Sequence, residues 1–439
     1  MTLTLNSTAI RRANTLFRRL KIRHSTLPIL THVRITVAPG DPDATLEVSN
    51  LDIGIAMRLP FGGPTTPGAF TLAQGDLASI ARSADRDTPV LFEREEIPPA
   101  PTPDDVDFVP VPDSPPAADN AEAAPPAPAA PRRQPKVHVT LFTKSMRTKL
   151  TLESLDPAQF PDPPAITGPP VIMPNAALAA IRRVRPCASL DETRYVLNGV
   201  FITRHAGGAA VATDGRRMAI LEPAPFATPD AILPNLLVDL LFDAACQTAA
   251  LWRNDEDAEI ASLQFGPTTL FFRLISGNYP NFRQVIPDPA SRTGSCTFAD
   301  ATLSALATWL RNYPGETIGL TFDPPASTVT FEVFRRDQGR YSTSASAAFN
   351  GTPPAACAYN ASFLADALAM NLHTMDLIDE MSPAVLTDGL TRYVLMPMRL
   401  MKDAAAYPEP AAAEPAPEPE EDAPADHTEP AGDAIDIAV

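Results

Sequence analysis

The chain has 439 residues, 50 of them proline and four cysteine, with 45% hydrophobic residues and a formal net charge of −17. That length suits two to four domains of roughly 100–200 residues each. The acid is not spread evenly: six acids and no base lie in 97–131, and eleven acids and no Lys or Arg lie in 403–439, so the rest is close to neutral and a nucleic-acid partner is not excluded. Cys187, Cys246, Cys296 and Cys357 are widely spaced without a C-x-x-C, which argues against a zinc site or disulfide framework and for free thiols in a reducing cytosol. The N-terminal MTLTLNSTAIRR has no apolar run of a secretory leader, and the most apolar stretch, Ala231–Trp252, is broken by Pro234, Asn235, Asp239 and Asp243, so no membrane span is expected.

Ser7–Leu20 reads as an amphipathic helix with Ser7 as N-cap: at ~100° per residue, Ile10, Ala13, Phe17 and Leu20 share one side. Arg11, Arg12, Arg18 and Arg19 fall on the other, followed by Arg23, and no acid neutralises them, which points to a polyanion. Leu27–Pro60 alternates as a strand series, and Ala73–Asp85 is a second helix. Ile97–Pro135 is rich in Pro, Ala and Asp and is expected to be a disordered insert. Strands resume at Val137, and Pro161–Pro170 reads as a linker. Arg194–Ile220, RYVLNGVFITRHAGGAAVATDGRRMAI, reads as strand, hairpin and strand, with an Asp214-Gly215 turn that throws Arg216 and Arg217 outward. Asn198-Gly199 is a turn signal or a tight strand contact.

Helices recur in pairs. The first of each pair carries Ile10, Leu178 or Leu303, the second Leu77, Leu237 or Leu364, with spacings of roughly 67, 59 and 61 residues. The return spacings are roughly 101 and 66, and the difference is about the length of the proline-rich insert, which lies in the longer interval. Three similar domains follow, each of two helices and many short strands. None of the six histidines has a second ligand at metal spacing, and no G-x-S-x-G, Walker lysine motif or G-x-G-x-x-G occurs. Asp214 before glycine is read as a turn former rather than an acid. The expectation is a binding or scaffold protein with no catalytic residue, metal or cofactor.

Four separated stretches carry a resemblance: RYVLNG with VATDGRRMA, SGNYPNFRQVIP at Ser276–Pro287, RYVLMPMRL at Arg392–Leu400, and STLPIL with SNLDIGI in 25–55. Together they resemble the bacterial sliding clamp, the beta subunit of DNA polymerase III. The resemblance implies an α+β DNA-clamp fold of three similar domains, each with two helices and antiparallel sheets, in a head-to-tail ring dimer. The domains would be 1–168, 169–288 and 289–402, followed by an acidic tail 403–439. It implies a non-enzymatic processivity factor, cytoplasmic and nucleoid-associated, encircling duplex DNA without reading sequence. Arg182, Arg183, Arg185 and Arg194 would join the bases of the first helix in facing DNA. A pocket for linear motifs of the polymerase and clamp loader would comprise Leu197, Thr213, Gly215, Arg216, Arg217, Met218, Pro280, Gln284, Val285, Val394, Leu395, Met396, Pro397, Met398, Arg399 and Leu400. The seam between chains would bring Leu150 and Leu152 to Thr308, Trp309 and Leu310. Gln284 stands where such clamps have a base, and 39 residues follow Leu400, where they end. That tail is expected to modulate access to the pocket or to repel DNA from the outer faces. The alternative functions are a clamp paralogue serving repair or a specialised polymerase and, more remotely, a hydrolase using Asp214 with His205 or His373.

Overall fold

In a computed structural model, the structure describes residues 1–20, 26–95, 135–143, 145–243, 246–253, 259–335 and 339–399. The proline-rich insert, but for Pro135, and the acidic tail therefore lie outside the described residues, as do Arg23 and Leu400. Met1–Met398 forms one compact unit.

Six α-helices and 24 strands are described, in three sets. The first set holds β1 (Thr2–Asn6), α1 (Ser7–Phe17), β2 (His32–Val37), β3 (Asp43–Ser49), β4 (Ile53–Pro60), β5 (Gly68–Ala73), α2 (Gln74–Ser83), β6 (Pro89–Arg94), β7 (Lys136–Phe142) and β8 (Arg147–Glu153). The second holds β9 (Val171–Met173), α3 (Asn175–Val184), β10 (Gly199–Thr203), β11 (Ala209–Thr213), β12 (Arg217–Leu221), β13 (Ala231–Pro234), α4 (Asn235–Asp243), β14 (Ala249–Arg253), β15 (Ile260–Phe265) and β16 (Thr268–Arg273). The third holds β17 (Gly294–Phe298), α5 (Asp300–Leu310), β18 (Thr317–Asp323), β19 (Thr328–Arg335), β20 (Gly339–Gly351), β21 (Ala356–Asn360), α6 (Ala361–Ala369), β22 (Thr374–Leu377), β23 (Ala384–Thr387) and β24 (Thr391–Leu395).

The strand orders repeat with a shift of eight. One four-strand order runs β1-β6-β7-β8, β9-β14-β15-β16 and β17-β22-β23-β24; the other runs β5-β2-β3-β4, β13-β10-β11-β12 and β21-β18-β19-β20. Two junctions fuse neighbouring sets edge to edge: β4 pairs antiparallel with β16, and β12 with β24. The first makes the eight-stranded sheet, and the second, with β17 paired to β20 inside the third set, makes the twelve-stranded one.

The helices form where apolar periodicity places them, with their ends shifted by a few residues. α1 buries Ile10, Ala13, Leu16 and Phe17, and Leu20 beyond its end is also buried. Each such side chain contributes about 1.5–3 kcal/mol by leaving water. The cap differs from expectation. Asn6 is the N-cap, its side chain accepting from the Thr8 amide at 2.8 Å. Ser7 is buried, and its hydroxyl donates to the Asp85 carbonyl at 2.5 Å, tying α1 to the end of α2.

Arg194–Ile220 departs from expectation at its start. Glu192–Leu197 is a 3-10 turn rather than a strand, because the Asp191 carboxylate accepts from the Thr193 amide and starts a helical turn. Asn198-Gly199 resolves as the tight contact. Gly199 pairs opposite Pro234 on β13, and a Cβ there would lie 2.5 Å from the Leu233 carbonyl oxygen. Replacing Gly199 by Ala should therefore cost about 1–3 kcal/mol by overpacking. A urea unfolding midpoint equal to that of the parent chain would refute this reading of β10 against β13.

Candidate peptide-docking pocket

The Asp214-Gly215 turn is built from its own side chains. Asp214 Oδ1 accepts from the amides of Arg216 and Arg217 at 2.9 and 3.0 Å, and Thr213 Oγ1 accepts from the Gly215 amide at 3.0 Å. Gly215 sits at φ +85°, which glycine adopts without the steric cost of a Cβ. Arg194 lies against this turn, donating to the Asp214 carbonyl at 3.1 Å. Asp214 is thereby used up as a turn former, with its other oxygen on Arg217 Nε at 3.0 Å, and the hydrolase reading has no acid left. Among the described residues no group of three or more His, Cys, Asp and Glu side chains could hold a metal. No helix among them is long and apolar enough to cross a membrane.

β12 carries the chain from this turn into the junction, where Met218 faces Val394 in register on β24. A cavity of about 150 Å³ opens over that pair. Leu197, Met218, Val394 and Phe282 form its buried floor, while Val285 (47% exposed) and Met396 (39% exposed) stand at its rim with Arg216 and Pro280. Thr213, Gly215 and Arg217 complete the lining. Phe282 was not expected; the signal available was an aromatic inside NYPNFRQV, between two positions that were. Its ring is held by Phe201, which stacks on Tyr279 at 4.8 Å and 7°.

The remaining predicted pocket residues do not line the cavity. Alternation along a strand sends Leu395, fully buried, to the opposite face from Val394. Gln284 is exposed outside the lining. Pro397 is half-buried away from it, and Met398 turns to the third set, its amide donating to the Ala358 carbonyl at 2.7 Å. Arg399 falls outside the compact unit, and Leu400 outside the described residues.

Arg217 does not point outward. Its guanidinium reaches Asp366 on α6 at 2.5 Å and the Pro186 carbonyl at 2.8 Å, and lies 4.3 Å over the Phe363 ring. It braces the junction under the pocket, and only Arg216 is exposed. Three other arginines are likewise committed inside the fold. Arg182 binds the carbonyls of Leu241 and Cys246, Arg183 reaches Asp388 at 2.5 Å and the Met370 carbonyl at 2.7 Å, and Arg185 pairs with Asp239 at 2.9 Å. These contacts satisfy carbonyls and carboxylates of neighbouring elements, and each of the three arginines stays half-buried. On α1, Arg11 binds the carbonyls of Ala81 and Ala84, while Arg12 is exposed, as are Arg18 and Arg19 just beyond the helix.

At the expected seam, Leu150 and Leu152 lie half-buried on β8, the unpaired edge of its sheet. Thr308 is exposed, and Trp309 packs on Tyr313 with centroids 4.9 Å apart. Leu310 is fully buried in the core, so it cannot face a partner.

With this geometry in view, the chain is similar to proteins of one kind. It is 27% identical to the Beta sliding clamp of Caulobacter vibrioides over 283 residues, covering 59% of this chain and 74% of that one. Identity to the Beta sliding clamp of Synechocystis is 27% over 291 residues, covering 60% and 74%. The structure superposes on the Caulobacter crescentus beta sliding clamp with a TM-score of 0.73 at 20% identity, over 91% of this chain and 99% of that one. For the DNA polymerase III subunit beta of Pseudomonas aeruginosa the TM-score is 0.69 at 19% identity, over 91% and 100%. No family model matches. In sequence and in fold these similarities support a divergent relative of the bacterial beta sliding clamps.

The junction also controls a thiol. Burial pushes Cys187 up to about 12, with Arg217 pulling the other way, and burial likewise puts Cys357 at about 11. An unfolded thiol ionises near ~8.5. The folded state thus holds protons that the unfolded state loses, and this contribution is full below about 8.5 and fades as pH rises toward 11–12. The urea midpoint should fall between pH 8 and pH 10.5, and less so with Cys187→Ala. A flat profile would contradict it.

Proposed function

We propose that the chain is a DNA sliding clamp: a ring of two copies that encircles duplex DNA and tethers the polymerase through the pocket at the β12–β24 junction. The observation that carries the reading is the shift-of-eight strand order. β4 joins β16 and β12 joins β24, which leaves β8 of the first set and the Gly339–Ser346 half of β20 in the third as the corresponding free edges. Pairing β8 of one chain with β20 of the next continues the series. Because the two edges are different surfaces, the contact is heterologous and closes only as a ring. The three sets support the division at 1–168, 169–288 and 289–402. Leu150 and Leu152 stay at this seam with β20 as the opposing strand, and Thr308 and Trp309 beside it.

Retention on DNA is then topological, and Arg12, Arg18 and Arg19 supply a loose, sequence-independent attraction to phosphate. No turnover is needed, in keeping with the non-enzymatic character of the family. The pocket supplies what a short linear motif requires, an apolar floor with flexible Met and Leu walls.

Loading onto nicked circular DNA with a clamp loader tests the ring. The protein should stay on the circle and leave within minutes once the DNA is cut to a linear form; equal loss from both overturns it. Met396→Ala with Val285→Ala should weaken a polymerase tail peptide at least about tenfold, as loss of interface anchors does, and leave the sedimentation of the dimer unchanged. Unaltered peptide affinity would remove the pocket from the mechanism.

A further inference from the structure

The first junction repeats three hydrogen bonds of the pocket-forming turn of the second. At β11–β12, the Gly215 amide donates to Thr213 Oγ1 at 3.0 Å, the Arg217 amide to Asp214 Oδ1 at 3.0 Å, and the Met396 amide to the Arg216 carbonyl at 3.0 Å. At β3–β4, the Leu51 amide donates to Ser49 Oγ at 3.1 Å, the Ile53 amide to Asn50 Oδ1 at 2.7 Å, and the Arg273 amide to the Asp52 carbonyl at 3.3 Å. The register gives the correspondence: Leu51 stands for Gly215, Asp52 for Arg216, and Phe271, paired with Gly54, for Val394. A cleft of about 270 Å³ opens here between the β4–β16 seam and the segment Phe160–Pro164. It continues past Leu51 and Pro161 into a second hollow of about 410 Å³ bounded by Leu27 and Leu30.

Two features depart from the later junction. Leu51 holds φ +77°, a conformation that a residue with a Cβ enters only at a cost, and its side chain is 63% exposed. The strain therefore sets an apolar side chain in solvent at the mouth of the cleft rather than in the core. The charge of the rim is also inverted. Asp52 is exposed and has no ion-pair partner among the described residues, and Asp162 is 86% exposed while reaching Arg34 at 2.7 Å. The bases nearby already have carboxylates: Arg34 binds Glu47 at 2.7 Å, and Arg273 binds Glu259 at 3.2 Å. Arg34 also lies 4.8 Å over the Phe160 ring, which fixes the cleft wall.

We propose that this cleft is a second docking pocket, for an extended segment of a partner protein whose apolar side chains are flanked by a basic residue. Leu51, Leu27 and Phe271 take the apolar side chains, and Asp52 takes the base. The charge argument also selects against the acidic tail, since 403–439 carries eleven acids and no Lys or Arg; the insert 97–135 carries six acids against Arg132 and Arg133, and its deletion is therefore one arm of the test. The pocket at the second junction, with Arg216 exposed at its rim, suits an acidic flank instead. One chain would thus hold two partners of opposite charge on equivalent turns. The inference rests on reading the β12–β24 pocket as a peptide site.

The test uses the full chain and two fluorescein-labelled peptides, Lys-Leu-Pro-Leu-Phe-Lys and Glu-Leu-Pro-Leu-Phe-Glu, in anisotropy titrations. Asp52→Lys should weaken the basic peptide by about tenfold or more and leave the acidic one unchanged. Met396→Ala with Val285→Ala should do the reverse. Leu51→Gly should weaken the basic peptide while the Tm holds or rises, since it removes the anchor and the strain together. A basic peptide that does not bind, or binds Asp52→Lys as well as the parent, overturns the second pocket; an acidic peptide indifferent to Met396→Ala overturns only the first. Two further results refute the proposal by naming another occupant: deletion of 97–135 that raises basic-peptide affinity about tenfold, or self-association of the chain that Asp52→Lys abolishes.

Discussion

Backbone pairing across the junctions is the constraint on which the rest depends. The ladder from Arg217–Leu395 to Leu221–Thr391 continues one sheet through two strand sets, so the pocket wall on β12 and the wall on β24 are fixed at strand spacing. Each hydrogen bond adds only about 0.5–1.5 kcal/mol net. Its larger effect is geometric: register decides that Met218 meets Val394 and that Leu395 turns to the core. A slip of one residue would exchange those faces and abolish the pocket.

Charged side chains then lock what the backbone aligns. Arg217 and Arg183 both cross from the second set to the third, the first to Asp366 and the second to Asp388. Partly buried pairs of this kind add little over an apolar contact, but losing one partner leaves a charge without solvent, at about 3–5 kcal/mol where burial is deep. Arg392 and Arg283 share Glu222 at the same junction. Two arginines of the second set, Arg183 and Arg217, are therefore spent on holding the third in place, and the exposed bases considered for DNA are Arg12, Arg18, Arg19 and Arg194.

What was legible in the sequence follows from the range of the forces involved. Helix periodicity is local, so Ile10, Leu178, Leu303 and their partners placed all six helices. The turn at Asp214-Gly215 is local too, and so was read correctly as a turn. Tyr195 and Leu197 alternate like a strand but belong to a 3-10 turn, because the deciding hydrogen bond comes from Asp191, just outside the apolar pattern. The fate of Arg183 was out of reach: its carboxylate, Asp388, lies 205 residues away. Charge pattern along one helix face cannot tell a solvated arginine from one with a distant partner. Leu310 failed for a similar reason, since helix periodicity ranks faces but does not say which face a neighbouring sheet covers. Ten of the residues expected in the pocket do line it because the resemblance fixed turn, linker and last strand together; Leu395, adjacent in sequence, failed on strand alternation alone.

Equivalent backbones with different side chains separate what the fold needs from what a site needs. Two side-chain hydrogen bonds of the turn recur at β3–β4 and β11–β12, so the fold requires a side-chain acceptor at Asn50 or Asp214 and a hydroxyl at Ser49 or Thr213. It does not require leucine at the next position, where glycine serves at the other junction without strain. Nor does it fix the sign of the charge after that, Asp52 at one and Arg216 at the other. Neither choice is explained by packing, because Leu51, Asp52 and Arg216 are all exposed. Side chains that the fold leaves free, on a turn that the fold holds rigid, are those on which recognition can act.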